Sequence, residues 1–157
     1  MKILFICTHN RCRSILSEAI TNKIAGGVID ARSAGSQPVG EVHPLSVKYL
    51  QQTGYPTDSL KSQSWDEFED FHADVVITVC DAAAGEACPV WFGKSIKVHW
   101  GLADPSKIEG SEEDVKTAFL NTIKIIEQRA TKLAKIATQD LDTASLKVAL
   151  NDLGAQS

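Results

Sequence analysis

Apolar residues in this chain come in two rhythms, short unbroken runs and longer stretches that recur every three or four positions. Lys2 to Ile6, KILFI, is an unbroken run of the kind a strand buried on both faces carries. From Ser14 the rhythm changes: Ile15, Leu16, Ala19, Ile20 and Ile24 recur at helical spacing until Gly26 and Gly27 stop them. Val28 to Gly35 reads as a second, weaker strand closed by glycine. His43 to Gly54 puts Pro44 in a first turn and Leu45, Val47 and Leu50 around a helix. Ala73 to Cys80, ADVVITVC, is the clearest buried strand, and Ser95 to Trp100 is the fourth. Ser111 opens a long helix with an N-cap hydroxyl and an acidic first turn, after which Val115, Phe119, Ile123, Ile126 and Leu133 share one face as far as Ala137. Strands separated by helical stretches imply parallel βαβ units covered on both faces. The pattern therefore predicts an α/β fold, a three-layer sandwich around a four-stranded parallel sheet.

The chain has 157 residues, 43% of them hydrophobic, the size of one domain with its own core. The long helix closes that domain, 1–137. Residues 138–157 are a C-terminal extension in which Leu141, Ala144, Ser145, Val148 and Leu153 permit a short helix, expected to pack weakly on the domain or to mediate self-association. A formal charge of -4 and the lack of a long Lys/Arg run predict no nucleic-acid partner and no membrane partner. MKILFIC is cut off by the polar stretch from Thr8 before a signal peptide's apolar region is complete, and no later segment reaches transmembrane length. The cysteines, Cys7, Cys12, Cys80 and Cys88, thus point to a reducing cytoplasm, where grouped thiols serve catalysis, redox or metal binding more often than structural disulfides.

Two of those cysteines and two arginines fall in eight residues, Cys7-Thr8-His9-Asn10-Arg11-Cys12-Arg13-Ser14, between the first strand and the first helix. In open α/β sheets ligands sit beyond the carboxyl ends of the strands, where this loop lies. Successive backbone N–H groups there can converge on an oxyanion, the helix dipole favours negative charge, and Arg13 adds a planar fork for two oxygens. The same field favours Cys7 as a thiolate, since cysteines at helix N-termini beside cations titrate at roughly 3.5 to 7.5 rather than about 8.5. Ser14 is placed to donate a hydrogen bond to that sulfur. The loop reads as a cradle for a tetrahedral anion with a nucleophile at its base.

Cysteine, five residues, arginine and serine, directly after an N-terminal buried strand and before a helix, resembles the low-molecular-weight protein tyrosine phosphatase fold family. The resemblance extends through Ser33-Ala34-Gly35, His43-Pro44, the third strand and Asp104-Pro105. It implies that residues 8 to 14 bind the oxyanion and that Asp104 protonates the leaving oxygen. The stretch after Asp104-Pro105, SKIEG, lacks the tyrosines that hold an aromatic substrate in the family's phosphatases. The segment VCDAAAGEACPVW, with Cys80 and Cys88, is instead similar to the redox segment of the family's thioredoxin-coupled arsenate reductases, with seven residues between the cysteines, one more than expected there. That branch implies arsenate as substrate with phosphate as competitor, attack by Cys7, resolution by Cys80, transfer to a Cys80–Cys88 disulfide, and reduction by thioredoxin with no bound cofactor. A continuous helix over eight residues rises about 12 Å and a disulfide needs Cα atoms within about 7 Å, so the segment must bend, as Gly85 allows.

Other readings stand beside this one. A low-molecular-weight phosphatase would use Cys7, Arg13 and Asp104 alone. A non-enzymatic module binding zinc or arsenite through four cysteines lacks a tight Cys-x2-Cys knuckle. Cys12 reads as a small buried thiol and Asn10 as a brace for the loop. His9 and Arg11 read as solvent-facing side chains, His43, His72 and His99 as structural, and Trp65, Trp91 and Trp100 as core or lid aromatics.

Overall fold

The computed structural model describes residues 1–79, 95–139 and 141–155. Its elements run β1 (Lys2–Ile6), α1 (Arg13–Ala25), β2 (Asp30–Ala34), α2 (Pro44–Gln52), a 3-10 turn (Trp65–Phe71), β3 (Val75–Thr78), β4 (Ile96–His99), a short 3-10 turn (Pro105–Lys107), α3 (Glu112–Thr138) and α4 (Thr143–Ala155). The four strands form one sheet in the order β2-β1-β3-β4, every pair parallel. After β1 the chain moves outward to β2 and then crosses back to β3. The point where strand order reverses thus lies between β1 and β3, and the loop that follows β1 opens there.

β1 is apolar throughout because both its faces are covered: Ile3, Leu4, Phe5 and Ile6 are each at most 1% exposed. Side chains alternate along a strand, so Phe5 faces the helices, against Trp100, while Lys2 on the opposite face lies over the ring of Phe71 in the first 3-10 turn. The protein is a three-layer α/β sandwich. Between α1, α2 and α3 a second apolar cluster forms from Ile15, Leu16 and Ile20, Tyr49 and Leu50, and Phe119, Ile123 and Ile126. α3 starts with a reciprocal capping box, Ser111 and Asp114, and α2 starts with Pro44 behind His43, whose Nδ1 accepts from the Leu45 N–H. The turn at Trp65–Phe71 has a capping box of its own, Ser64 with Glu67.

The extension departs from expectation. α4 does not pack weakly: Leu150 and Leu153 are 0% and 3% exposed and belong to the main core, with Leu146 packed beside them. Val148, one of the residues that suggested the helix, is 60% exposed. The apolar stripe is Leu146, Leu150 and Leu153, at spacings of four and three, and it covers the end of the sheet at β4. Two polar contacts lock it there. Trp100 Nε1 donates to the Leu150 carbonyl at 2.8 Å, and Arg129 Nη2 donates to the Gly154 carbonyl at 3.3 Å while its guanidinium lies 5.7 Å from the Trp100 ring centre. The cation of Arg129 therefore sits at the negative end of the α4 dipole.

Candidate active site

Residues 7 to 12 wrap into a loop whose shape is set from outside. The Thr8 carbonyl accepts from Gln37 N–H at 2.9 Å, the His9 carbonyl from Val39 N–H and the Ser62 hydroxyl, and the Arg11 carbonyl from His43 N–H at 2.9 Å and the Ser46 hydroxyl. A trans peptide points its N–H opposite its C=O, so the outward Thr8 and Arg11 carbonyls turn the His9 and Cys12 N–H groups inward, while the Asn10 N–H donates to the Cys7 carbonyl at 3.3 Å. Asn10 is fully buried with φ 46°, in the left-handed region. Its Nδ2 donates to Ser14 Oγ at 2.8 Å and its Oδ1 accepts from Gln63 N–H at 2.8 Å, so it braces the loop from within. Gly35 lies directly beneath: a Cβ there would stand 2.4 Å from the Thr8 carbonyl oxygen and 2.6 Å from that of Cys7. Ser33, two residues earlier, donates to Glu18 Oε1 at 2.7 Å, and burial pushes the Glu18 carboxyl above its ordinary range despite that bond.

Arg13, the first residue of α1, turns back over the cradle. Its Nη1 donates to the Leu102 carbonyl at 3.0 Å, its Nη2 lies 3.6 Å from Asp104 Oδ2, and its Nε is buried without a hydrogen-bond partner. Asp104 reaches the site from the loop after β4, which is tied to β3 by Leu102 N–H on the Val79 carbonyl. The Asp104 Oδ1 accepts from both the hydroxyl and the N–H of Ser106, at 2.6 and 2.9 Å. Burial raises its carboxyl, but Ser106, Arg13 and Lys107 together outweigh that and hold it below the usual carboxylate range.

These groups enclose a cleft of about 120 Å³ lined by Cys7, Thr8, His9, Arg11, Cys12, Arg13, Asp104 and Lys107. Sequence residues 91 positions apart, Arg13 and Asp104, meet there. Cys12 is 2% exposed, and burial, opposed by hydrogen bonds from Ser46 and Ser106, pushes its thiol up to about 11. It is a protonated thiol at neutral pH, which fits packing rather than attack. His9 is exposed at the rim, as expected, but Arg11 is only half-exposed and lines the cleft instead of facing solvent. Lys107 was not read from the sequence at all; its signal was its place three residues after the acid. Cys80, Gly85, Cys88 and Trp91 lie outside the described residues.

In this parallel α/β sandwich the first strand delivers a buried cysteine into a loop faced by an arginine, with a carboxylate opposite. The chain belongs to the low molecular weight phosphotyrosine protein phosphatase family, whose model matches residues 2–145. It is 37% identical over 117 residues to an arsenate reductase of Halalkalibacterium halodurans, covering 74% of this chain and 83% of that one. Among solved structures it resembles a thioredoxin-dependent arsenate reductase of Corynebacterium glutamicum, with a TM-score of 0.65, 29% identity and 87% of this chain covered; the match spans 61% of that longer chain. It also resembles the YwlE arginine phosphatase with a phosphorylated active-site serine, with a TM-score of 0.71, 25% identity, and 89% and 97% of the two chains covered.

Proposed function

We propose that this protein is an arsenate reductase that converts arsenate to arsenite, with Cys7 as nucleophile and Cys80 and Cys88 as a disulfide relay. The observation that carries this reading is the second cysteine pair. Hydrolysis in this family's phosphatases needs one thiol, and this chain has Cys80 just beyond β3 and Cys88 eight positions later. The similarity to enzymes named arsenate reductase supports it.

Arsenate enters the cradle of residues 8 to 14, three of its oxygens on the inward N–H groups and on Arg13, whose unpartnered Nε faces a demand for an acceptor. Cys7 attacks arsenic, an S–As bond forms, and one oxygen leaves as water with a proton delivered through Asp104. Asp104, its pKa held low, is ionised and lies 3.6 Å from Arg13 Nη2. An incoming dianion takes over that arginine and raises the Asp104 pKa, so the acid is charged with its proton as substrate binds. Cys80 then attacks Cys7 Sγ. The new S–S bond forms, the S–As bond breaks with its electron pair remaining on arsenic, and As(V) leaves as arsenite. Cys88 attacks Cys80 and frees Cys7, and an external dithiol, thioredoxin, reduces the Cys80–Cys88 pair. Phosphate, of the same shape, occupies the cradle as a competitor but accepts no electrons. This chemistry belongs in a reducing compartment, the cytoplasm, and no helix among the described residues is long and apolar enough to cross a membrane.

The second reading is a phosphatase using Cys7, Arg13 and Asp104, favoured by the resemblance to the YwlE arginine phosphatase. One assay decides between them: arsenite released by wild-type protein with thioredoxin, thioredoxin reductase and NADPH, beside phosphate released from an aryl phosphate and from phosphoarginine. Thioredoxin-dependent arsenite release over many turnovers is expected. Brisk phosphate release with no arsenite would establish the phosphatase instead.

A further inference from the structure

An arginine side chain carries five N–H donors and a permanent charge, and a buried donor is normally given an acceptor. Arg11 breaks that rule. Its Nε is buried with no hydrogen-bond partner. Its guanidinium enters none of the ion pairs among the described residues, which join Arg13 to Asp104, Arg32 to Asp30 and Lys48 to Glu112. Its backbone is fixed, since His43 N–H and the Ser46 hydroxyl both hold its carbonyl, so the side chain is presented to the cleft by a rigid loop. The charge is felt across the site: burial first, and then the Arg11 cation, lower the pKa of His43.

Among the described residues the cleft walls hold Arg11, Arg13 and Lys107 against one carboxylate, Asp104, already paired with Arg13. Among those residues Arg11 and Lys107 are cations beyond the one that Asp104 pairs with. A tetrahedral anion has four oxygens, and an anion held by the loop N–H groups and Arg13 leaves one of them for the rest of the cleft lining, which includes Asp104, Lys107 and Arg11. In a free oxyanion that fourth oxygen carries charge or a proton and accepts hydrogen bonds. In an ester it carries a carbon group, which brings no charge to the two cations and accepts no hydrogen bond from them.

We propose that Arg11, assisted by Lys107, is the specificity-determining residue of this site, selecting a free inorganic oxyanion over phosphate esters by binding its fourth oxygen. This rests on the oxyanion-site reading above and adds to it a reason for the choice of substrate.

The test compares full-length wild type with Arg11→Gln, Arg11→Lys and Lys107→Gln, all reduced. Phosphate binding is measured by calorimetry, and kcat/KM for an aryl phosphate in parallel. Loss of a charge-assisted contact is worth about tenfold or more in affinity. The ratio of phosphate affinity to ester kcat/KM is expected to fall by about that factor in Arg11→Gln and by less in Lys107→Gln, with Arg11→Lys between wild type and Arg11→Gln because it keeps the charge and loses the fork. An unchanged phosphate affinity, or an equal loss for phosphate and ester, would overturn the proposal. Neither readout uses arsenate reduction, so a wild type without reductase activity would refute the function proposed above and leave this comparison intact.

Discussion

Single atoms decide whether the cradle exists. Gly35 is the sharpest case, since any Cβ meets two loop carbonyls at under 3 Å. Gly35→Ala is expected to push residues 7 to 10 out of place and cost on the order of a hundredfold in turnover, the scale of a 1 Å misplacement, with the fold retained by circular dichroism; wild-type turnover would mean the loop does not need this approach. Asp104 makes a pH prediction. Its folded-state pKa lies below the ordinary value, so the stability it contributes is present above that value and is lost as pH falls through the lowered one. Urea midpoints should therefore be lower for Asp104→Asn than for wild type at pH 6, the gap closing in strong acid; a gap constant with pH would contradict the assignment. Cys12, held up near 11, should escape iodoacetamide at pH 7 in the folded protein. The candidate nucleophile loop was legible in the sequence because its residues are contiguous, eight in a row. What holds it was not. Gln37, Val39 and Gln63 act through backbone N–H groups, which leave no trace in residue type, and Arg11 read as solvent-facing because the sequence does not say which way a loop side chain turns.

At the scale of elements, the strands and long helices announce themselves through their periods, and the observed ends fall within two residues of those expected. The 3-10 turn at Trp65–Phe71 carried a readable signal, serine followed three places later by glutamate, but it lies in a stretch without a clear apolar rhythm. The helix of α4 was expected but not its docking: the residues that suggested it, Val148 among them, left out Leu146 and Leu150, which with Leu153 join the core beside Trp100. Trp100 follows β4 and precedes the loop that carries Leu102 and Asp104, so α4 braces the strand end from which the acid is presented. Leu150→Ala is expected to cost about 2–5 kcal/mol of unfolding free energy, the range for a fully buried leucine. A change within about 0.5 kcal/mol, the size of a surface substitution, would mean that α4 is a loose appendage after all.

The molecule as a whole brings together groups that are far apart in sequence. The parallel pairing of β1 with β3 puts the Cys7 loop and the end of β3, after which Cys80 follows in sequence, at the same carboxyl end of the sheet, with Asp104 entering from the next strand over. That topology is what a relay between Cys7 and Cys80 requires, and it is why the fold serves the chemistry proposed. The relay is tested most directly by trapping it. Cys88→Ser protein, reduced, freed of reductant and given excess arsenate, should release one arsenite per chain and stop, and mass mapping should find Cys7 joined to Cys80. Cys80→Ser should release none under the same conditions, and Cys7→Ser none under any. Continuous thioredoxin-dependent turnover by Cys80→Ser and Cys88→Ser at the wild-type rate would contradict the account.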